Sequence, residues 1–388
     1  MKSWGLYFLV LGLTLSAMAA VSLHLLYSWK VAPVLAVNKA TQARHHKVFE
    51  DDLEYLSHFE VFEALAPMKN PNRDAGTLLN AKFSWTPSPQ GQLSHVDPEL
   101  AERLIRMGTD WITLAAKQKT NAKYNFPVLG QLNGFDHWDV EKNGPIETLI
   151  TEAKFVPPPQ VPIPDPNELL TATKLNLIRG AQDKSFLATL SSTRKLAELL
   201  MSSENLQLVL AGLSVLDSER RAYRYYVDEL GFDEKAWTPI DRNVTRRAHR
   251  AILATRGYLR LWTEPELLAK YFLADKPVFG FCAVANESFP LEFSLRRVLE
   301  PRWPLEMNLH DEYEQLDKIF ARAQESCRLR YLSHLVEADQ FADHFPGPLI
   351  LNRLPYSRKV FGMRLSAANF DGFYGYDKAA AGHNPASD

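Results

Sequence analysis

The sequence predicts a mainly α-helical protein, in which a single N-terminal transmembrane helix is followed by an irregular antiparallel helical bundle or array. Three observations lead to this fold class. Residues 4–29 are apolar and contain no Asp, Glu, Lys or Arg. Beyond them, polar residues followed by proline recur, a pattern that starts helices. Between these starts, apolar residues repeat at intervals of three and four, the period of a helix that buries one face.

The apolar segment is long enough to cross a bilayer as a helix. From Gly5 to Tyr27 it would extend roughly 34 Å, compared with about 30 Å of hydrocarbon. Trp4 and Trp29 lie at its two ends, where aromatic side chains favour the membrane interface. We therefore expect residues 1–30 to form a transmembrane anchor, with residues 4–29 in contact with the membrane.

A secretory signal peptide is the alternative interpretation of this segment. Ala17-Met18-Ala19 has the small-x-small pattern of a cleavage site, so the sequence leaves open whether residues 1–19 are removed. An uncleaved anchor also accounts for residues 21–29. The short tail with Lys2 resembles an export signal, which predicts a single-pass protein of the bacterial inner membrane with a periplasmic body. Basic residues between positions 30 and 47 favour the opposite orientation.

The composition indicates a folded body. Of 388 residues, 46% are hydrophobic and 23% are charged, which is enough to bury one large core or two smaller ones. A formal net charge of -2 gives no general attraction to nucleic acid, so we expect no nucleic-acid partner. Cys282 and Cys327 are too few for a disulfide framework. Their pairing depends on geometry, and two buried free thiols are the simpler expectation.

Residues 31–155 are predicted to form a stalk and a smaller mixed region of helices and loops. Apolar residues repeat at near-helical spacing over residues 41–67, and a short strand is expected at residues 82–86. A helix begins at Asp97-Pro98, where Asp is a capping acceptor and Pro suits the first turn. Aromatic residues and glycines in residues 124–150 indicate a packed, ordered loop.

A proline-rich strap at residues 156–166, VPPPQVPIPDP, separates this region from the main helical domain at residues 167–378. Its prolines enforce an extended path and exclude a helix. A strap packed between two parts of one protein needs no partner, although such a stretch also suits an aromatic groove on another protein. Residues 379–388 are polar and are expected to form a flexible tail.

The main domain contains several predicted helices. The first begins at Asp165-Pro166 and continues to Leu200, with Gly180 as a point of bending or division. The second runs from Glu204 to Leu230 and stops at Gly231. Further helices are expected to begin at Thr238-Pro239, Glu264-Pro265 and Asn308.

Two sets of residues are candidates for catalysis. Ser192 and Lys195 have the S-x-x-K spacing of penicillin-binding enzymes, but the S-D-N and K-T-G motifs that complete such sites are absent from the sequence. A solvated helix face explains this pair without catalysis. Asp136, His137 and Asp139 have suitable acid–base chemistry, and their alternative role is to cap and hydrogen-bond a surface loop.

Metal binding has one main set of candidates, His334, Glu337 and His344. The first two have i, i+3 spacing, which aims both side chains in one direction. One His and one acid on a helix do not complete a site without further ligands, and the end of a helix explains them more simply. We expect no metal or other cofactor.

The most distinctive charged segment contains Arg242, Arg246 and Arg250, which repeat at i, i+4 and form a basic stripe. Such a stripe suits an anionic lipid surface or an acidic protein partner. Its ordinary alternative is pairing with acids on neighbouring helices. A second candidate for partner binding is an aromatic segment that contains Phe373, Tyr374 and Tyr376, whose alternative role is to close the bundle.

These patterns predict a membrane-anchored helical scaffold or adaptor of the bacterial cell envelope that binds a protein or anionic lipid. A membrane anchor, followed by a helical body without a complete catalytic motif, favours a scaffold or adaptor over an enzyme. The alternative is an envelope hydrolase with an acidic and histidine site in residues 124–150, because active sites also assemble from residues that carry no sequence motif.

Overall fold

The computed structural model describes residues 15, 18, 21–22, 50–55, 73–86, 104, 111–113, 127–152, 161–261, 265–273, 278–286, 318–319, 321–323 and 325–327. Over these residues the protein is mainly helical. The chain divides into two units, one formed by Met1–Asp51 with Gly347–Asp388 and the other by Asp52–Pro346.

In the first unit, Leu15, Met18 and Val21 are helical and exposed. Among the residues that the structure describes, no helix is both long and apolar enough to span a membrane. The anchor predicted at residues 1–30 lies almost entirely outside these residues and stays a prediction. All elements and contacts that follow belong to the second unit.

Among its described residues, the second unit contains four long helices and shorter elements around them. In chain order the elements are α1 (Gly76–Leu79), β1 (Trp85–Thr86), a 3-10 helix (Pro127–Gly134), α2 (Pro145–Thr151), β2 (Ile163–Pro164), α3 (Pro166–Asp183), α4 (Phe186–Ser202), α5 (Leu206–Leu230), a 3-10 turn (Glu234–Ala236), α6 (Arg242–Leu261) and α7 (Pro265–Phe272). Helices α3, α4 and α5 pack against one another, and α6 contacts both α5 and α7.

The first predicted helix of the main domain is in fact two helices, α3 and α4. Its start is confirmed, because Asp165 accepts a 2.8 Å hydrogen bond from a first-turn backbone N–H and Pro166 follows. The break falls at Lys184, whose φ of 55° is left-handed, rather than at Gly180. Gly180 instead lies where the two helices approach closely, since a Cβ there would come within 2.5 Å of Thr189 Oγ1.

The predicted second helix is confirmed as α5. Asn205 caps its start and accepts hydrogen bonds of 3.0 and 3.2 Å from first-turn backbone N–H groups. Gly231 ends it in a left-handed conformation with φ of 71°, which glycine adopts without the strain that a Cβ introduces. Both ends are therefore determined by short-range chemistry.

The next helix starts later than expected. We predicted a start at Thr238-Pro239, but α6 begins at Arg242. Asp241 supplies the cap, because its Oδ1 accepts a 2.7 Å hydrogen bond from a first-turn backbone N–H. The start predicted at Glu264-Pro265 is confirmed by α7, whose first residue is Pro265. The start predicted at Asn308 lies outside the described residues.

The interior between α3 and α5 is apolar with one polar link. Leu177, Leu190 and Ala222 are buried there together with Tyr226. The Tyr226 hydroxyl donates a hydrogen bond to the carbonyl oxygen of Leu177, which joins α5 to α3. Full burial of one leucine side chain contributes roughly 1.5–3 kcal/mol, so these buried residues stabilise the packing of the three helices.

A small antiparallel sheet joins the strap to the smaller region. β2, in the strap, pairs with β1 so that Trp85 lies opposite Pro164. Glu168 of α3 accepts a 2.6 Å hydrogen bond from the backbone N–H of Ser84, which attaches the same segment to the helical domain. The strand predicted at residues 82–86 is thus confirmed for Trp85–Thr86, and the extended path of the strap for Ile163–Pro164.

The described part of residues 124–150 is packed and ordered, as predicted, but it is not a loop throughout, because it contains the 3-10 helix Pro127–Gly134 and the start of α2. Trp138 is fully buried, and its Nε1–H donates a 2.7 Å hydrogen bond to Asn80 Oδ1. The 3-10 helix Pro127–Gly134 packs against α4 and buries Leu129 and Leu132. These contacts attach the loop to the main helical domain.

The expectation of two free thiols is wrong. Cys282 and Cys327 form a disulfide, and their Cα atoms lie 5.5 Å apart, within the range that a disulfide bridges. The two cysteines are separated by 45 residues in the sequence. Only the tertiary fold brings them together, because neither spacing nor composition specifies this pairing.

Candidate functional site

A cleft of about 280 Å³ lies between α5, the start of α6 and residues 112–113. Arg220, Arg221 and Arg224 of α5 line it, together with Arg242 of α6. Arg220 and Arg224 lie one helical turn apart and therefore share a face of α5. Four guanidinium groups from two helices thus converge on one cavity.

Asp217 organises two of these arginines. Its Oδ1 accepts a 2.6 Å hydrogen bond from Arg220, and its Oδ2 accepts a 2.7 Å hydrogen bond from Arg221. Burial alone would raise the pKa of Asp217, but the two arginines hold the pKa below its ordinary value. The ionised carboxylate therefore fixes both guanidinium groups at the cleft.

Arg220 is buried, with only 7% of its surface exposed. Its Nε–H has no hydrogen-bond acceptor among the described residues. A buried donor without an acceptor costs roughly 1–3 kcal/mol, more for a charged group. The cleft thus contains a cationic Nε–H donor for which no described residue supplies an acceptor.

The positive charge of the cleft is only partly neutralised. Arg224 is exposed and Arg242 stands at the first turn of α6, and neither guanidinium group makes an ion pair or hydrogen bond within the described part of the chain. Desolvation, followed by repulsion from Arg246 and Arg220, lowers the pKa of Arg242. This direction therefore reflects desolvation first and the neighbouring arginines second, while Asp217 opposes it.

Two carboxylates also line the cleft. Asp228 and Glu229 lie on the last turns of α5 and are exposed. The three carboxylates Asp217, Asp228 and Glu229 offset three of the four arginines, and Arg246 adds a further cation beside Arg242. The cleft and its border therefore carry a small positive net charge and not a strongly basic one.

The basic stripe predicted from the sequence divides into two parts. Arg250 is engaged inside the protein, because its Nε and Nη2 donate hydrogen bonds of 2.5 and 2.7 Å to the buried carboxylate of Asp52. Arg247 lies 3.3 Å from the same carboxylate and stacks over the ring of Tyr55. Arg246 remains exposed, and Arg242 lines the cleft.

A second buried ion pair supports α5 on its other side. Arg194 of α4 donates hydrogen bonds of 2.8 and 2.6 Å to the two carboxylate oxygens of Glu219. Trp237 donates a further 2.7 Å hydrogen bond to Glu219, and its ring stacks against the Arg194 guanidinium. Burial raises the pKa of Glu219 even though Arg194 opposes this shift. The cluster connects α4 and α5 and fixes the helix that carries the cleft.

Ser192 and Lys195, the S-x-x-K pair, make separate contacts. The Ser192 hydroxyl donates a 3.0 Å hydrogen bond to the carbonyl oxygen of Thr189 and accepts one from Asn176. Lys195 forms a 3.2 Å ion pair with Glu198. Within the described structure these two side chains thus serve helix contacts and do not form a joint site.

The catalytic candidates in residues 124–150 do not share one environment, because some lie at the surface and others in the interior. Asp136 forms an ion pair with Arg73 at 3.1 Å, whereas His137 is buried with its Nε2 at 3.9 Å from Asp74 Oδ1. The same Asp74 oxygen accepts hydrogen bonds from the backbone N–H groups of Gly76 and Asp139, at 2.9 and 2.8 Å. The carboxylate of Asp74, which the sequence did not single out, therefore organises the backbone of the loop.

Other predicted residues lie outside the described part of the chain. These are the metal candidates His334, Glu337 and His344 and the aromatic residues Phe373, Tyr374 and Tyr376. Among the described residues, no group of three or more His, Cys, Asp or Glu side chains is arranged to hold a metal ion.

The arginine cleft was missed in the sequence, although a signal was present. Arg220, Arg221 and Arg224 fall within five residues of α5. Asp217 compensates Arg220 and Arg221, whereas Arg224 has no ion-pair partner among the described residues. The contribution of Arg242 depends on the packing of α6 against α5, which the sequence does not specify. The chain matches no protein-family model, and no curated protein sequence or solved structure is significantly similar to it.

Proposed function

We propose that the protein is a membrane-anchored helical scaffold of the bacterial cell envelope, which captures an anionic partner through the basic surface on α5 and α6. The observation that carries this proposal is the convergence of Arg220, Arg224 and Arg242 on one cleft. Exposed Arg246 extends the positive charge along α6. Complementary charge steers an acidic partner to such a surface and fixes its orientation.

Two further features support the proposed cellular location. Disulfides persist in oxidising compartments such as the bacterial periplasm, so the Cys282–Cys327 bond supports a periplasmic body. The apolar residues 4–29 support a single-pass anchor in the inner membrane. The short connections between α3, α4 and α5 support an antiparallel bundle as the rigid part of the scaffold.

Capture is tested with the full-length protein in its native membrane. A photo-crosslinking residue on the exposed face of α6 should yield a discrete adduct, and Arg242→Glu with Arg246→Glu should abolish that adduct. Arg179→Glu is the matched control, because Arg179 is a half-exposed arginine of α3 remote in sequence from the cleft. Equal crosslinking by the double variant and the wild type would contradict the proposal.

The topology is tested separately by adding protease to spheroplasts. A periplasmic body is digested from outside, whereas a cytoplasmic body is protected until the membrane is broken. The N-terminal residue of the purified protein shows whether residues 1–19 have been removed.

A further inference from the structure

The Nε–H of Arg220 gives the cleft a preference for a ligand with a hydrogen-bond acceptor, which positive charge alone would not give. Arg220 is buried and held by Asp217 through Nη2, which leaves its Nε–H without an acceptor among the described residues. A guanidinium group has its donors in a fixed plane, so a ligand oxygen that lies in that plane would satisfy this one. The cleft is therefore prepared for an oxyanion.

The charge balance indicates how much negative charge such a ligand carries. Four arginines and two carboxylates line the cleft. Asp217, which pairs with two of these arginines, lowers the positive excess to one, and Arg246 beside Arg242 brings it back to two. A phosphate monoester carries between about 1.5 and 2 negative charges at neutral pH, and its oxygens accept the forked hydrogen bonds of arginine. A single carboxylate would leave part of this excess unneutralised.

The size of the cleft limits the rest of the ligand. Its volume of about 280 Å³ is at the lower end of ordinary ligand pockets, which range from roughly 300 to 1,000 Å³. The exposed carboxylates of Asp228 and Glu229 lie on its lining and repel a polyanion that extends beyond it. These two properties favour one phosphate group with a small substituent over a polymer.

We infer that the cleft binds a single phosphate group, with Arg220 Nε–H, Arg224 and Arg242 as its donors. This inference deepens the proposed scaffold function and rests on it, because it names the anionic group that the basic surface recognises. The phosphate belongs either to a small soluble ester or to a lipid headgroup. Both present the same oxygens to the arginines.

Binding is measured with the full-length protein in nonionic detergent, by titration calorimetry with inorganic phosphate and glycerol phosphate. Arg224→Gln should weaken binding at least tenfold without a large change in melting temperature, because Arg224 is exposed and makes no described contact. Arg220→Lys, which keeps the charge but removes the Nε donor, should also weaken binding. Arg179→Gln is the matched control and should have no effect.

Asp228→Asn should change phosphate binding in the opposite direction to the arginine variants. Removal of this exposed carboxylate should strengthen phosphate binding by about two- to fivefold, since one repulsive charge is lost. Tight binding of soluble glycerol phosphate would identify the ligand as a soluble ester. Weak binding of glycerol phosphate, together with Arg224-dependent binding of the protein to vesicles that contain phosphatidic acid, would identify the ligand as a lipid headgroup. Both results support the inference. No binding of any of these probes, or binding that Arg224→Gln and Asp228→Asn leave unchanged, would overturn it.

The two proposals fail in different ways. If Arg242→Glu with Arg246→Glu abolishes partner crosslinking but no phosphate probe binds, the scaffold proposal stands and the phosphate inference is wrong. If phosphate binds through Arg224 while crosslinking is unaffected by the double charge reversal, the partner proposal is wrong.

Discussion

Arg250 and Asp52 form a two-point ion pair across 198 residues of sequence. The carboxylate of Asp52 is almost completely buried, with its side chain 3% exposed, whereas the Arg250 side chain is 35% exposed. The pair joins α6 to a helical segment near the start of the unit. An arginine that belongs to the predicted partner-binding stripe thus serves the fold.

Removal of Arg250 should destabilise the protein. Arg250→Met leaves the buried Asp52 carboxylate with Arg247 alone, and we expect a loss of about 1–3 kcal/mol in the free energy of unfolding. Arg179→Met removes an arginine from an exposed pair on α3 and should cost roughly 0.5 kcal/mol or less. Urea unfolding followed by circular dichroism measures both. Equal stability of the two variants would show that the Asp52 pair contributes little.

Gly180 should tolerate no side chain. A Cβ at this position would lie 2.5 Å from Thr189 Oγ1 and 2.8 Å from Thr189 Cβ, so α3 and α4 must separate to admit it. We expect Gly180→Ala to cost about 1–3 kcal/mol, as overpacked cores do. Gly130→Ala is the matched control, because no atom lies within 4 Å of its added Cβ. Thermal unfolding measures the stability of both variants. A smaller loss of stability in Gly180→Ala than in Gly130→Ala would contradict the close packing of these helices.

Asp217 should make stability dependent on pH. Its pKa is lowered in the folded protein, because the hydrogen bonds from Arg220 and Arg221 outweigh the effect of burial. A carboxylate of this kind stabilises the fold above its unfolded pKa of about 3.9, and the contribution disappears as the pH falls through the lower folded pKa. At neutral pH, Asp217→Asn should therefore be less stable than the wild type by about 1–2 kcal/mol.

The same comparison repeated in acid tests the sign of this effect. The difference between wild type and Asp217→Asn should narrow as the pH is lowered from about 4 towards 2. A difference that stays constant over this range would show that Asp217 does not act through its charge.

The disulfide should stabilise the fold when it is oxidised. Closing a loop of 45 residues reduces the entropy of the unfolded chain, which corresponds to about 4 kcal/mol in the chain-entropy treatment. Reductant should lower the melting temperature of the wild type but not that of a Cys282→Ser, Cys327→Ser double variant. Peptide mapping without reduction should recover the two cysteines in one linked peptide, and two alkylated cysteines in the protein isolated from cells would contradict the bond.

The helix ends were largely predictable from the sequence because their causes are local. Asp165 with Pro166 starts α3, and Gly231 ends α5, through hydrogen bonds and backbone conformations that involve only neighbouring residues. The break between α3 and α4 was predicted at Gly180 but lies at Lys184. This difference arose because Gly180 is required by the contact with Thr189 on another helix, not by a turn.

The sequence by itself determined that the described part of the main domain is helical, where most of its described helices begin and end, and that the strap is extended at Ile163–Pro164, because caps, prolines and apolar spacing act over a few residues. The tertiary structure alone decided which charges remain available. It paired Arg250 with Asp52, joined Cys282 to Cys327 and brought Arg242 to the arginines of α5. Such contacts depend on how helices pack, and pairings between residues far apart in the chain leave no pattern in a single sequence.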